Sequence, residues 1–123
     1  MKQNKPRNFK NYKVWQDAVS FATLIYKVCN SFPSYERFGL CNQLQRAVVS
    51  ISSNIAEGSA KPTDDDFARF LDVALGSSFE VETQLFIAKN INYITEEQFY
   101  TLQQANNEIQ KQLVGLIGSI RQA

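Results

Sequence analysis

Histidine is absent from the 123 residues, and cysteine occurs only twice, at Cys29 and Cys41. Tetrahedral zinc sites therefore lack ligands. The diiron-bundle pattern needs Glu-x-x-His pairs on facing helices, and it cannot be written from this sequence. Gly-rich phosphate loops, the Gly-x-Ser-x-Gly elbow and the dinucleotide fingerprint are missing as well. Only five glycines and three prolines occur, which excludes fibrous and low-complexity classes. No run of about 18 or more apolar residues exists, and no apolar segment follows the positive charges of the N-terminus. Neither membrane insertion nor export is expected, so the chain is read as cytoplasmic. Its thiols are then expected to stay reduced, and a disulfide is not favoured, although a hairpin could bring Cys29 and Cys41 close.

What the chain does contain is apolar periodicity: 44% of its residues are hydrophobic. A chain of this length can bury roughly two-thirds of the surface its unfolded form exposes, so it needs no staples. Val14, Ala18, Phe21, Ile25, Val28 and Phe32 step by fours and threes, the seam of a helix that packs on other long helices at shallow angles. Pro33 ends that helix. Leu40, Leu44, Ala47 or Val48, Ile51 and Ile55 draw the stripe of a second helix, for which Gly58 is the expected C-cap. Thr63-Asp64-Asp65-Asp66 starts a third helix, with Thr63 as the cap and three carboxylates at the positive helix end. Thr95-Glu96-Glu97-Gln98 repeats the capping pattern before a fourth. In that last helix Asn106 occupies a seam position between Leu102 and Ile109, where a buried Asn commonly fixes register. These signals predict an all-α protein, an up-down-up-down antiparallel four-helix bundle. Its helices are placed at about 14–31, 37–58, 63–90 and 95–121, behind a basic arm at 1–13.

Charge is unevenly spread. Lys2, Lys5, Arg7, Lys10 and Lys13 give the arm +5 with no acid, while the rest of the chain sets eight Lys or Arg against twelve Asp or Glu, leaving −4. Such an arm offers RNA phosphates a contact that the body does not, but short basic arms are usually just solvated, and that is the preferred reading.

A polar row runs beside the stripe of the second helix: Gln43, Arg46, Ser50, Ser53 or Asn54, and Glu57. On the third helix Gly76, Ser77 and Ser78 interrupt the apolar pattern, at a cost of about 1 kcal/mol for a Gly in place of Ala. A close helix neighbour would account for that cost. Arg46, Ser50, Asn54, Glu57, Gly76, Ser77 and Glu80 are therefore expected to form a polar contact site, within the bundle or across a subunit boundary, with Glu80 or Glu82 near Arg46. Glu57, Glu80 and Glu82 could supply a carboxylate pair for catalysis, but ion pairing explains them more economically. No enzyme, cofactor or metal is expected. The third helix also carries Leu75, Phe79, Phe86 and Ile87 off its main row, more apolar surface than one bundle buries, which suggests self-association.

The segments Phe9-Lys10-Asn11-Tyr12-Lys13-Val14-Trp15-Gln16, Phe32-Pro33 with Glu36, Phe38-Gly39-Leu40, Gln43 to Arg46, Ser50-Ile51-Ser52-Ser53-Asn54-Ile55-Ala56-Glu57-Gly58 and Phe70-Leu71 with Ala74, Gly76-Ser77 and Glu80 together form a pattern. It resembles the bacterial four-helix-bundle family encoded in intervening sequences of 23S ribosomal RNA genes, often labelled S23 ribosomal protein. The resemblance covers about residues 9 to 90; the fourth helix matches only as an amphipathic helix. It implies a small non-enzymatic bundle that forms a ring-shaped homo-oligomer, a pentamer, with a poorly defined role. A similar bundle serves as the nucleic-acid-binding accessory protein of diversity-generating retroelements, but that relative is strongly basic, whereas the body of this chain is acidic. The expected partners are further copies of the chain, with RNA or an RNA-associated protein as the alternative.

Overall fold

The computed structural model describes residues 7–122, and among these only helices occur as regular structure. A 3₁₀ turn at Phe9–Asn11 leads into α1 (Lys13–Cys29), a second 3₁₀ turn at Ser34–Glu36 precedes α2 (Leu40–Ser59), and α3 (Asp64–Asn90) and α4 (Glu96–Gln122) follow. The first helix ends at Cys29, two residues earlier than the apolar seam suggests, because the chain turns there to bring Phe32 back under the core.

Capping chemistry sets the other ends. Thr63 accepts the Asp66 amide at 3.1 Å. At the start of α4 the exchange is mutual: Thr95 Oγ1 accepts the Gln98 amide at 3.0 Å and Gln98 Oε1 accepts the Thr95 amide at 2.8 Å. Just past the end of α3 stands Asn92, the one non-glycine residue with positive φ among those described (66°). There Asn92 and Tyr93 donate back to the Lys89 and Ala88 carbonyls at 3.0 and 2.8 Å, the paired closure of a Schellman motif.

Consecutive helices pack side by side, α1 and α4 close the ring, and the diagonal pairs do not meet at the backbone. The result is an up-down-up-down antiparallel four-helix bundle. Its core is continuous from Val14 and Phe67 at one end to Phe32 and Ile94 at the other.

The pairing of α2 with α3 is the most extensive, and Gly58 explains its closeness. A Cβ at Gly58 would lie 2.5 Å from Phe70 Cβ and 3.1 Å from Phe67 Cδ1. Gly58 is therefore not the helix cap. α2 runs on to Ser59 and is capped at Ala60 in ordinary helical geometry, and the missing side chain at 58 serves the approach of α3 instead.

Candidate functional site

Two residues in the middle of α3 tie it to both neighbours. Ser77 and Ser78 are adjacent in sequence and so point about 100° apart around the helix. Ser77 Oγ donates to Ser50 Oγ on α2 at 2.9 Å. Asn54 Nδ2, one turn on, donates to the same hydroxyl at 2.9 Å and to the Ser50 carbonyl at 2.8 Å. On the other flank Ser78 Oγ donates to Asn106 Oδ1 at 2.6 Å, and Asn106 Nδ2 returns a bond to the Ser78 carbonyl at 3.0 Å. Both Ser78 and Asn106 are fully buried. The seam Asn of α4 thus locks the register of α3 against α4, and the polar row of α2 does the same more loosely on the other side.

The remaining residues expected in this row lie elsewhere. Arg46, Glu57 and Glu80 are exposed, and no ion pair joins Arg46 to Glu80 or Glu82. Arg46 stands two residues from both Leu44 and Val48, about 200° around the helix, so it faces away from the core those residues fill. Glu80 accepts only from Gln84 Nε2 at 3.4 Å on its own helix, and Glu82 is taken by Gln110 Nε2 of α4 at 3.0 Å. Gly76 is exposed, and a Cβ there would meet nothing within 4 Å. The close approach expected at Gly76 occurs at Gly58.

The basic arm is also redistributed. Lys2 and Lys5 lie outside the described residues. Arg7 is folded in: its guanidinium donates to the Lys61 carbonyl at 2.8 Å and the Ser59 carbonyl at 3.4 Å, and pairs with Asp64. It also lies 4.6 Å over the Phe67 ring. The side chain is 8% exposed, so it joins the C-terminus of α2 to the N-terminus of α3 and is withdrawn from external phosphates. Lys13 bonds Asp17 at 2.7 Å, one turn along α1. That bond, ahead of one from Gln112 of α4 at 2.8 Å, keeps the Asp17 carboxyl below its ordinary range. Lys10 remains exposed.

Periodicity foresaw part of the surface these helices present. Val73, Phe79, Phe86 and Ile87 on α3 are each between 43% and 53% exposed, and Tyr100 and Val114 on α4 are 65% and 57% exposed. Phe86 stacks on Phe99 of α4 at 4.7 Å, with Lys89 Nζ 5.3 and 4.7 Å from the two rings. Beneath this surface Gln84 and Gln103 are buried, and the Oε1 of each meets no donor. Aromatic rings and branched aliphatics on one side of a bundle form a surface suited to another protein.

The architecture therefore defines a small antiparallel helical bundle, locked internally by Ser and Asn, with an apolar outer face. The chain belongs to the 23S rRNA-intervening sequence protein family, whose model matches residues 10–115. It is similar to a solved structure from Bacteroides thetaiotaomicron, described as a protein of unknown function from the S23 ribosomal protein family. The two share 30% identity with a TM-score of 0.77, over 85% of this chain and 97% of the other. No curated protein matches the sequence. Among the described residues no helix is long and apolar enough to cross a membrane.

Proposed function

We propose that the chain is a non-catalytic interaction module of the cytoplasm that assembles with copies of itself into a ring, a pentamer, through the outer face of α3 and α4. The observation that carries this reading is the row Val73, Phe79, Phe86, Ile87, Tyr100 and Val114, six large apolar or aromatic side chains left in water on two adjacent helices. Fully burying an exposed side chain of this kind gains about 1.5–3 kcal/mol, and these are already about half-buried, so covering the face gains roughly half that at each residue. Light scattering on the purified chain at micromolar concentration tests the reading: a discrete oligomer supports it, and a monomer at every accessible concentration refutes it.

A second reading, binding of RNA by the basic arm, is supported by the +5 charge of residues 1–13. The engagement of Arg7 and Lys13 reduces that support and leaves Lys2, Lys5 and Lys10 to carry it. Binding to structured RNA should then weaken steeply with salt and fall on deletion of residues 1–6. Affinity unchanged by that deletion removes the arm from the account.

A further inference from the structure

Cys29 closes the last turn of α1, and Cys41 stands in the first turn of α2. The intervening loop folds back so that the Cys41 thiol donates to the Cys29 carbonyl at 3.5 Å. Both side chains are buried, at 6% and 7% exposure, and neither forms a disulfide. Burial first, and then the adjacent Cys41, push the Cys29 thiol up to about 12. The pair borders a groove that opens to solvent between Phe32, Pro33, Arg37 and Gln45. A molecule as small as a peroxide fits such an opening.

We propose that Cys29 and Cys41 are a redox pair, oxidised by hydrogen peroxide to an intrachain disulfide that staples the end of α1 to the start of α2. The order of events follows from position. Cys41 stands in the first turn of α2, on the groove that the Arg37 side chain also lines. Cys29 is held protonated by its burial. The Cys41 thiolate attacks a peroxide oxygen, the S–O bond forms as the O–O bond breaks, and the departing hydroxide takes up a proton to leave as water. The Cys29 sulfur then attacks the sulfenic sulfur of Cys41, the S–S bond forms as the S–O bond breaks, and the second oxygen leaves as water with the Cys29 proton. Two thiols are oxidised, and one peroxide is reduced to two waters. The product closes the base of the loop that displays Tyr35 and Phe38, which are 78% and 86% exposed.

Hydrogen peroxide in small excess, applied to the full-length chain and followed by denaturing alkylation, intact-mass measurement and peptide mapping, tests the proposal. The expected product has lost two hydrogens, takes up no alkylating reagent and yields one peptide joining Cys29 to Cys41. It should melt several degrees higher than the reduced chain, as for a short closed loop, and revert with dithiothreitol. Cys29→Ser should stop at a sulfenic acid on Cys41 that dimedone traps, while Cys41→Ser should react far more slowly at Cys29. Two alkylatable thiols after oxidation of the wild-type chain, a sulfinic acid, or a disulfide between chains overturns the pair. Equal reactivity of the two Ser variants overturns the order of attack.

Discussion

Single polar side chains in this bundle matter when they are fully buried and reciprocally bonded. Asn106 makes two bonds to Ser78 with no exposure, so Asn106→Ala leaves the Ser78 hydroxyl without its acceptor in a dry core. A loss of about 2–3 kcal/mol is expected, read as a lower urea midpoint at unchanged slope. Asn106→Leu combined with Ser78→Ala removes both partners and should recover most of that stability; a double variant no better than the single one would show that the pair is not the unit of interaction. Glu36 provides a titratable counterpart. Its carboxylate accepts the Leu40 amide at 2.9 Å and the Tyr93 hydroxyl at 2.7 Å, and those bonds, the backbone one first, hold its pKa below the ordinary value. A depressed carboxyl contributes stability that is fully present above its unfolded pKa and is lost as pH falls through the folded one. Glu36→Gln should therefore lower the urea midpoint at neutral pH, and the difference from wild type should shrink through the acid range. A difference that does not change with pH would mean that the anion is not what these donors recognise.

Helices as units were the most legible feature of the sequence, because four long stripes and two Thr caps are local signals. The seam Asn106 was legible for the same reason: it replaces an apolar residue in a regular step. The purpose of each glycine was not. A gap of one methyl is needed only where another backbone arrives, and that place depends on the register between α2 and α3, which neither helix states alone. The prediction that follows separates the two positions. Gly58→Ala places a Cβ 2.5 Å from Phe70 Cβ, and the forced shift should cost about 1–3 kcal/mol. Gly76→Ala meets open space and should stabilise the isolated chain by about 0.5–1 kcal/mol by restricting the unfolded state. Thermal unfolding at a dilution where the chain is monomeric reads both, and equal effects at the two sites would refute the assigned roles. Arg7 was illegible in another way. Counted as charge it belongs to a solvated arm, yet the outgoing carbonyls of α2 and the acidic start of α3 together make a negative spot that a nearby guanidinium fills. The acidic triplet at residues 64–66 was the available signal, and it was read only as a cap.

At the scale of the whole molecule, the polar residues once grouped as one contact site divide by direction. Ser50, Asn54 and Ser77 face inward and bind each other, whereas Arg46, Glu57, Gly76 and Glu80 face outward. Gly76 lies between Val73 and Phe79 on the exposed side of α3, so a residue without a side chain interrupts the same face that carries the unburied apolar groups. If copies of the chain meet there, Phe79 is the cleanest probe. It is 51% exposed, and its ring stacks on no other described aromatic, whereas Phe86 packs on Phe99 and would disturb α4 if replaced. Phe79→Glu should leave helicity and the melting temperature of the dilute chain near wild type, since a surface substitution of this kind changes stability by roughly 0.5 kcal/mol at most. Assembly should weaken on the order of thirtyfold, the effect of losing about 2 kcal/mol at one interface aromatic, and more where each copy contributes two such contacts to a ring. Val49→Glu, on the outer side of α2 at 40% exposure, is the control and should not shift the association constant. Sedimentation equilibrium across a concentration series distinguishes the outcomes. Dissociation by Phe79→Glu alone places the subunit boundary on α3, and dissociation by Val49→Glu alone moves it to the opposite side of the bundle. Loss of assembly in both places Val49 on the second of the two faces that every head-to-tail ring requires, so that the outer face of α3 and α4 supplies one half of each contact and the outer side of α2 the other.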